Sequence, residues 1–174
     1  MKALSIKQPW SSLIAQGIKN IENRTWKTKF RGKIYIHASA VSAGRPAQLL
    51  NDEQLDFLCK KSDFRFFDTA LITSAIIGEV EIVDCVINHP SIWAEKTTIH
   101  IENGKMFSHE KPIYNWVLAN LVLYDKPILN VKGKLSFWET DYKHCEECEK
   151  PFHFDIMNII EDCWICETCV ELMI

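Results

Sequence analysis

Nowhere does the chain hold an uninterrupted apolar run near the roughly 20 residues that a membrane-crossing helix requires, so no helical span is expected. Its first residues, MKALSIKQPWSSLIAQG, meet Gln8, Pro9 and two serines before an apolar stretch can build, which argues against a secretory leader. No internal repeat and no low-complexity tract is visible. Six glycines and six prolines in 174 residues are too few for a collagen-like or linker-rich chain. What remains is a soluble, cytoplasmic chain with the apolar content of a globular protein, long enough for one well-cored domain and a small appendage.

The sharpest scarcity is local. Residues 1–50 contain one acid, Glu22, against nine Lys and Arg, a balance of +8. Residues 51–140 carry thirteen acids against nine bases, −4, and residues 141–174 carry nine against two, −7. A basic first third on a protein of net charge −3 is expected where one surface meets a polyanion and the rest does not.

The pattern of residues predicts mostly strands. ALSIKQ reads as a short strand, and PWSSLIAQG as a two-turn helix opened by Pro9 and closed by Gly17. In KNIENRTW an extended backbone would set Asn20, Glu22, Arg24 and Trp26 along one face, with Lys19 at the entrance. KIYIHAS is a β-rich run, and residues 43–61 have helical spacing, as one helix or as two broken near Asn51. ALITSAIIGEVEIVDCVI reads as a long strand bent at Gly78, and Asn103-Gly104 marks a hairpin. YNWVLANLVLYDKPI and GKLSFWE add two more strands. Five or more strands, two helices, short turns and no βαβ rhythm predict an α+β fold, a small closed or nearly closed barrel with flanking helices. Trp93, Trp116 and Trp138 are expected to pack in its core, as are the thiols of Cys59 and Cys85.

The stretch LSIKQPWSSLIAQGIKNIENRTW, with RGKIYIHAS, IIGEVEIVDCV, YNWVLAN and VKGKLSFWE after it, resembles an ASCH domain, a β-barrel family related to the PUA domain. The family's G-x-K-x-x-E-x-R pattern stands here as Gly17, Lys19, Glu22 and Arg24, and the likeness covers roughly residues 2–139. The resemblance implies a PUA-like barrel over residues 1–140, with a cleft between barrel and helix that is lined by these residues and binds RNA or another nucleic acid. Some similar proteins are hydrolases of acetylated cytidine or nucleases, using the same cleft. In the amidohydrolase branch the lysine corresponds to Lys19, but the position of that branch's threonine holds Glu22 here, a departure from the amidase pattern.

Residue chemistry leads to a compatible reading. A lysine and an arginine about one carboxylate can hold a phosphate while offering donors and an acceptor to a base edge, and Trp10 or Trp26 can stack on a base. Lys7, Lys27, Lys29 and Arg31 would then follow the backbone, with His37 and Ser39 lining the cleft. If the chain is an enzyme, Lys19, Glu22 and Arg24 are the catalytic candidates. The plainer reading is an ion pair, Glu22 with Arg24 or Lys19, that only holds the barrel mouth in shape. A His37–Ser39 nucleophile pair lacks any identifiable acid or oxyanion element, so a strand histidine satisfied by a neighbour is the simpler expectation.

Five of the seven cysteines crowd the end of the chain, HCEECEKPFHFDIMNIIEDCWICETCVELMI. Cys145-x2-Cys148, seventeen residues, then Cys166-x2-Cys169 fits the two-knuckle spacing of a structural Zn2+ site, and Cys163-x2-Cys166 is the alternative second pair. His144 and His153 are possible substitutes. Residues 141–174 are therefore expected to form a zinc-knuckle extension whose folding depends on metal. Its acidity suits a protein partner better than a nucleic acid. His100-x-Glu102 before Cys145-x2-Cys148 superficially echoes the zinc deaminases, but the forty-two-residue gap, the missing proline and the hairpin context oppose it.

Overall fold

The computed structural model describes residues 1–61, 71–103, 105–108 and 110–173. The chain begins with strand β1 (Lys2–Ile6), helix α1 (Trp10–Ala15), β2 (Ile21–Arg24) and β3 (Gly32–Ala38). Helices α2 (Pro46–Leu49) and α3 (Asp52–Lys61) follow, broken at Leu50–Asn51. Asn51 and Gln54 cap α3 reciprocally, the Gln54 N–H donating to Asn51 Oδ1 at 2.9 Å and the Asn51 N–H to Gln54 Oε1 at 3.2 Å. Strands β4 (Ala75–Val86), β5 (His100–Glu102), β6 (Lys105–Phe107), β7 (Tyr114–Ile128) and β8 (Phe137–Glu139) complete the main body.

Six of these strands form one sheet in the order β2-β7-β4-β3-β1-β8, curled into a half-barrel. Its β1–β3 pair is parallel and its other pairs are antiparallel. The curl has a visible cause in β4. Its register against β7 slips three times, and the first slip lies between Ile76 and Gly78. A Cβ on Gly78 would lie 2.2 Å from Val122 O, so only glycine lets the two backbones approach this closely. β5 and β6 pair as the expected hairpin around Asn103; Gly104 lies outside the described residues.

Strand alternation sorts the central side chains to two faces. Leu4, Ile6, Ile34, Ile36 and Ala38 enter the main cluster with Ile14 and Ala15 of α1 and with Trp116. Ala3 and Tyr35 go to the opposite face with Ile76 and Val131. A third cluster joins α1 and β2 to α3 and the loop after β4, through Leu13, Ile21, Leu58 and Trp93. Trp116 is fully buried, stacked on Phe137 at 5.2 Å and met edge-on by Trp26 at 4.5 Å.

Two local expectations change. Cys59 is exposed, because helical spacing turns it about 100° away from its buried neighbour Leu58. Of GKLSFWE only Phe137–Glu139 pairs as strand; the residues before it loop out, with Ser136 in the left-handed region (φ 60°).

The last thirty-odd residues form two small hairpins and a helix: β9 (Tyr142–His144) with β10 (Pro151–His153), β11 (Met157–Ile160) with β12 (Cys163–Cys166), then α4 (Glu167–Met173). A polar contact ties them to the barrel. Glu79 of β4 pairs with His144 Nε2 at 2.8 Å and accepts the Tyr124 hydroxyl. Among the described residues no helix is long and apolar enough to cross a membrane.

Candidate nucleic-acid interface and metal centre

The turn after α1 sets the first candidate residue. Ile18 N–H and Lys19 N–H both donate to Leu13 O, folding the chain back so that Lys19, two residues before β2, is almost wholly buried. Its ammonium donates to Ile21 O and to Glu22 Oε2 at 3.4 Å, and lies 5.8 Å from the Trp10 ring centroid. Glu22 Oε1 sits 2.9 Å from Arg24 Nε, and Arg24 Nη2 donates to Ser5 O at 3.0 Å. Lys19, Glu22 and Arg24 thus form one chain of charge in which the carboxylate bridges two cations. Burial, only partly offset by Glu22, holds the Lys19 amine below its ordinary pKa.

Lys19 and Glu22 open onto a cavity of about 400 Å³. Trp10 and Trp93 contribute to its wall, and Asn23, Asn51, Gln54 and Glu95 supply its polar atoms. The residues after β4 are held in place from below. Asn115, fully buried, donates to Asn23 Oδ1 and Glu95 O at 3.0 Å each and accepts from His89 N–H at 2.9 Å. Asn23 Nδ2 donates to Trp93 O at 2.9 Å, and Gln54 Nε2 to Ile92 O at 2.8 Å. The cavity therefore has a preset mixture of donors and acceptors. With one lysine and two glutamates among its lining residues, it is not a basic pocket.

The other candidates from the sequence disperse. Arg24 meets Glu22 but is not among the residues lining this cavity. Trp26 lies beyond the end of β2 and packs on Trp116 and Phe137. Arg31 pairs with Asp84 at 2.9 Å, and Lys7, Lys27 and Lys29 are exposed. His37 and Ser39 line a second cavity of about 490 Å³, on the far side of β1 and β3. There the serine beside His37 is not Ser39 but Ser5, directly opposite it in the parallel register. His37 Nδ1 lies 3.1 Å from Ser5 Oγ, and Nε2–H donates to Val131 O at 2.9 Å.

This buried histidine carries a pH prediction. Desolvation lowers its pKa from the usual 6.5, so the folded protein keeps it neutral while the unfolded chain takes up a proton on acidification. The stability it contributes is present above pH 6.5 and falls as pH drops below that value. The difference in Tm between the wild type and His37→Gln should shrink from pH 8 to pH 5.5 in a thermal melt. A pH-independent difference would contradict the assignment.

Missed in the sequence were Asn23, Gln54, Trp93 and Glu95 of the cavity. Gln54 carried a usable signal, since Asn51-x-x-Gln54 is a capping-box spacing. Trp93 read only as core, and it is both core and wall.

In the tail, Cys145, Cys148, Cys166 and Cys169 bring their four sulfurs within 4.8 Å of one another, a group that can hold a metal ion. Cys145 and Cys148 flank the turn after β9, Cys166 ends β12 and Cys169 lies on α4. Cys166 N–H donates to Cys145 Sγ at 3.3 Å, as backbone amides do toward a thiolate ligand. Cys163 stands outside this group and pairs with Glu146. His144 is engaged by Glu79, and His153 by Asp155. His100 and Glu102 lie on β5 and are not in the group either.

Two curated proteins resemble part of the chain. Human and mouse activating signal cointegrator 1 are each 32% identical to it over 84 residues, which is 48% of this chain and 14% of the relative's length. The family model described as ASCH domain matches residues 4–158, from β1 into the cysteine tail. The chain belongs to the ASCH domain family, which is associated with RNA binding.

Proposed function

We propose that the chain binds RNA by admitting one unpaired base into the cavity between Trp10 and Trp93. The observation that carries this reading is the composition of that cavity. A space of about 400 Å³ with indole walls and a fixed mixture of amide, carboxylate and ammonium groups suits a neutral, flat, polar ligand better than a bare phosphate. Glu22, held between Lys19 and Arg24, supplies an acceptor for a base edge, and Lys19 and Gln54 supply donors. A base carrying a modification is within this reading, because the space exceeds what a bare ring fills. Exposed Lys7, Lys27 and Lys29 provide backbone contacts, so affinity falls with salt. In this reading residues 1–140 are the RNA-facing unit and residues 141–174 a second unit built on structural Zn2+, the ion that four thiolates in tetrahedral reach fit best. Cysteines committed to a metal ion rather than to disulfides fit a reducing compartment such as the cytoplasm. The acidic tail is left for a protein partner.

A single observation favours a hydrolase acting in the same cavity. Lys19 is a buried amine of lowered pKa beside a carboxylate, the environment that prepares a lysine for acid–base work on a nucleoside or RNA. One experiment separates the two. Short single-stranded RNAs and modified nucleosides are incubated with the protein, and retention is measured by anisotropy while products are followed by mass spectrometry. Binding without turnover is expected, with Trp10→Ala weakening affinity roughly 5- to 100-fold, the loss of one stacked base, and Trp10→Phe retaining most of it. Equal affinity of all three proteins would end the base-pocket reading, and turnover abolished in Lys19→Met would establish the hydrolase.

A further inference from the structure

We propose that the second cavity, between β1, β3 and the loop joining β7 to β8, is a phosphate-binding site. Its electrostatics are the reverse of the first. Lys132 and Lys134 are among the residues lining it, and no carboxylate is. Neither lysine has an ion-pair partner among the described residues. Further polar groups come from Ser39, Ser74 and Asn130, whose side chains are engaged in no hydrogen bond among the described residues. A volume of about 490 Å³ whose only charged walls are ammonium groups selects an oxyanion.

The floor of this cavity is built, not incidental. Ser5 Oγ donates to Lys134 O at 2.8 Å and receives the Trp138 indole N–H at 3.2 Å, beside buried His37. Val131 N–H donates to Ser74 O at 2.9 Å, closing the far wall. A Cβ at Gly133 would lie 2.2 Å from His37 Cε1 and 2.5 Å from Nδ1, so the loop rests directly on the imidazole. These contacts hold the loop backbone against the sheet and leave the side chains of Lys132 and Lys134 exposed at the mouth. Ser5 also links this cavity to the charged cluster of β2, its hydroxyl lining the cavity and its carbonyl held by Arg24. Phosphate can arrive as a phosphodiester of bound RNA or as a free ion, and both present the same oxygens.

The test follows the Trp138 indole N–H in 1H–15N spectra of the full chain, assigned by its loss in Trp138→Phe. Sodium phosphate is titrated against sodium chloride at matched ionic strength, and a short oligouridylate in a parallel series. A saturable shift with phosphate is expected, weakened at least tenfold in the Lys132→Ala/Lys134→Ala protein, whose two changes lie on an exposed loop. An oligouridylate that shifts the same signal at lower concentration identifies the phosphodiester as the source; a response to phosphate alone identifies the free ion. Absence of a saturable shift with either probe, or a shift that the double variant leaves unchanged, overturns the site. The phosphate titration does not engage the tryptophan-walled cavity, so Trp10→Ala should leave it intact and the two readings fail separately.

Discussion

Glu22→Ala is expected to lose about 3–5 kcal/mol of stability, a fall in Tm of roughly 10 °C for a chain of this size, and to abolish RNA binding. Glu22 is 7% exposed and, among the described residues, is the one carboxylate within salt-bridge distance of both Lys19 and Arg24. Removing it leaves the Lys19 ammonium, itself 5% exposed, without a counter-charge at hydrogen-bond distance among the described residues. Such a charge must either stay unpaired or give up its proton, and both are costly. Lys19→Met should cost less, because Glu22 keeps Arg24. The order of the two melting temperatures therefore tests whether the carboxylate is the hinge of the cluster. If Glu22→Ala melts with the wild type, the cluster is a surface pair of little consequence. Burial of Lys19 also gives a sign with pH. Its folded pKa lies below the ordinary 10.5, so between the two values the unfolded chain holds more protons, and this group's contribution to stability rises as pH rises through that window.

Removal of metal from the tail should unfold residues 141–173 while the half-barrel survives. The apolar support of the tail is small: Ile165 with Cys145 and Cys166 forms its buried centre, and Phe152, Met157 and Val170 pack around it only partly buried. So little surface cannot offset the entropy of ordering more than thirty residues. A structural zinc is worth an apparent ~10–16 kcal/mol to such a unit at neutral pH, because the ligands are brought together only in the folded state. Hydrogen exchange after treatment with a strong chelator is expected to lose protection across β9–β12 and α4, and elemental analysis to find one zinc per chain. Cys166→Ala should reproduce the chelated state, whereas Cys163→Ser should keep the metal. Zinc lost from Cys163→Ser, or a tail that keeps its protection after chelation, would refute the assignment of the four ligands.

Much of the fold is legible in the sequence itself. Lys33-Ile-Tyr-Ile-His-Ala38 alternates two buried sets, and its branched and aromatic residues favour a strand wherever they are placed. The break between α2 and α3 followed from Asn51 as a cap, and the bend in β4 from Gly78. The four sulfurs were recognisable by spacing because each Cys-x2-Cys pair is closed by a local turn; spacing alone left Cys163 open, and the position of α4 separates it from the group. The cysteines at 59 and 85 show the limit of composition. Both sit in apolar company, yet only Cys85 is buried, because burial of a helical residue depends on which face the helix turns inward.

The sequence by itself determined the local terms: the half-barrel strands, the caps, the Lys-Glu-Arg cluster within six residues of β2 and the turn before it, and the paired cysteines. Those depend on neighbours a few residues apart, where propensity, periodicity and spacing act directly. Tertiary structure alone decided that Asn115 would hold residues 89 and 95 in place, that Trp93 and Trp10 would line one cavity, and that Ser5 rather than Ser39 would meet His37. Each of those pairs is separated by at least 20 residues, and the last lies across a parallel register. No local rule encodes such contacts; they arise when the sheet curls and its loops are packed against it.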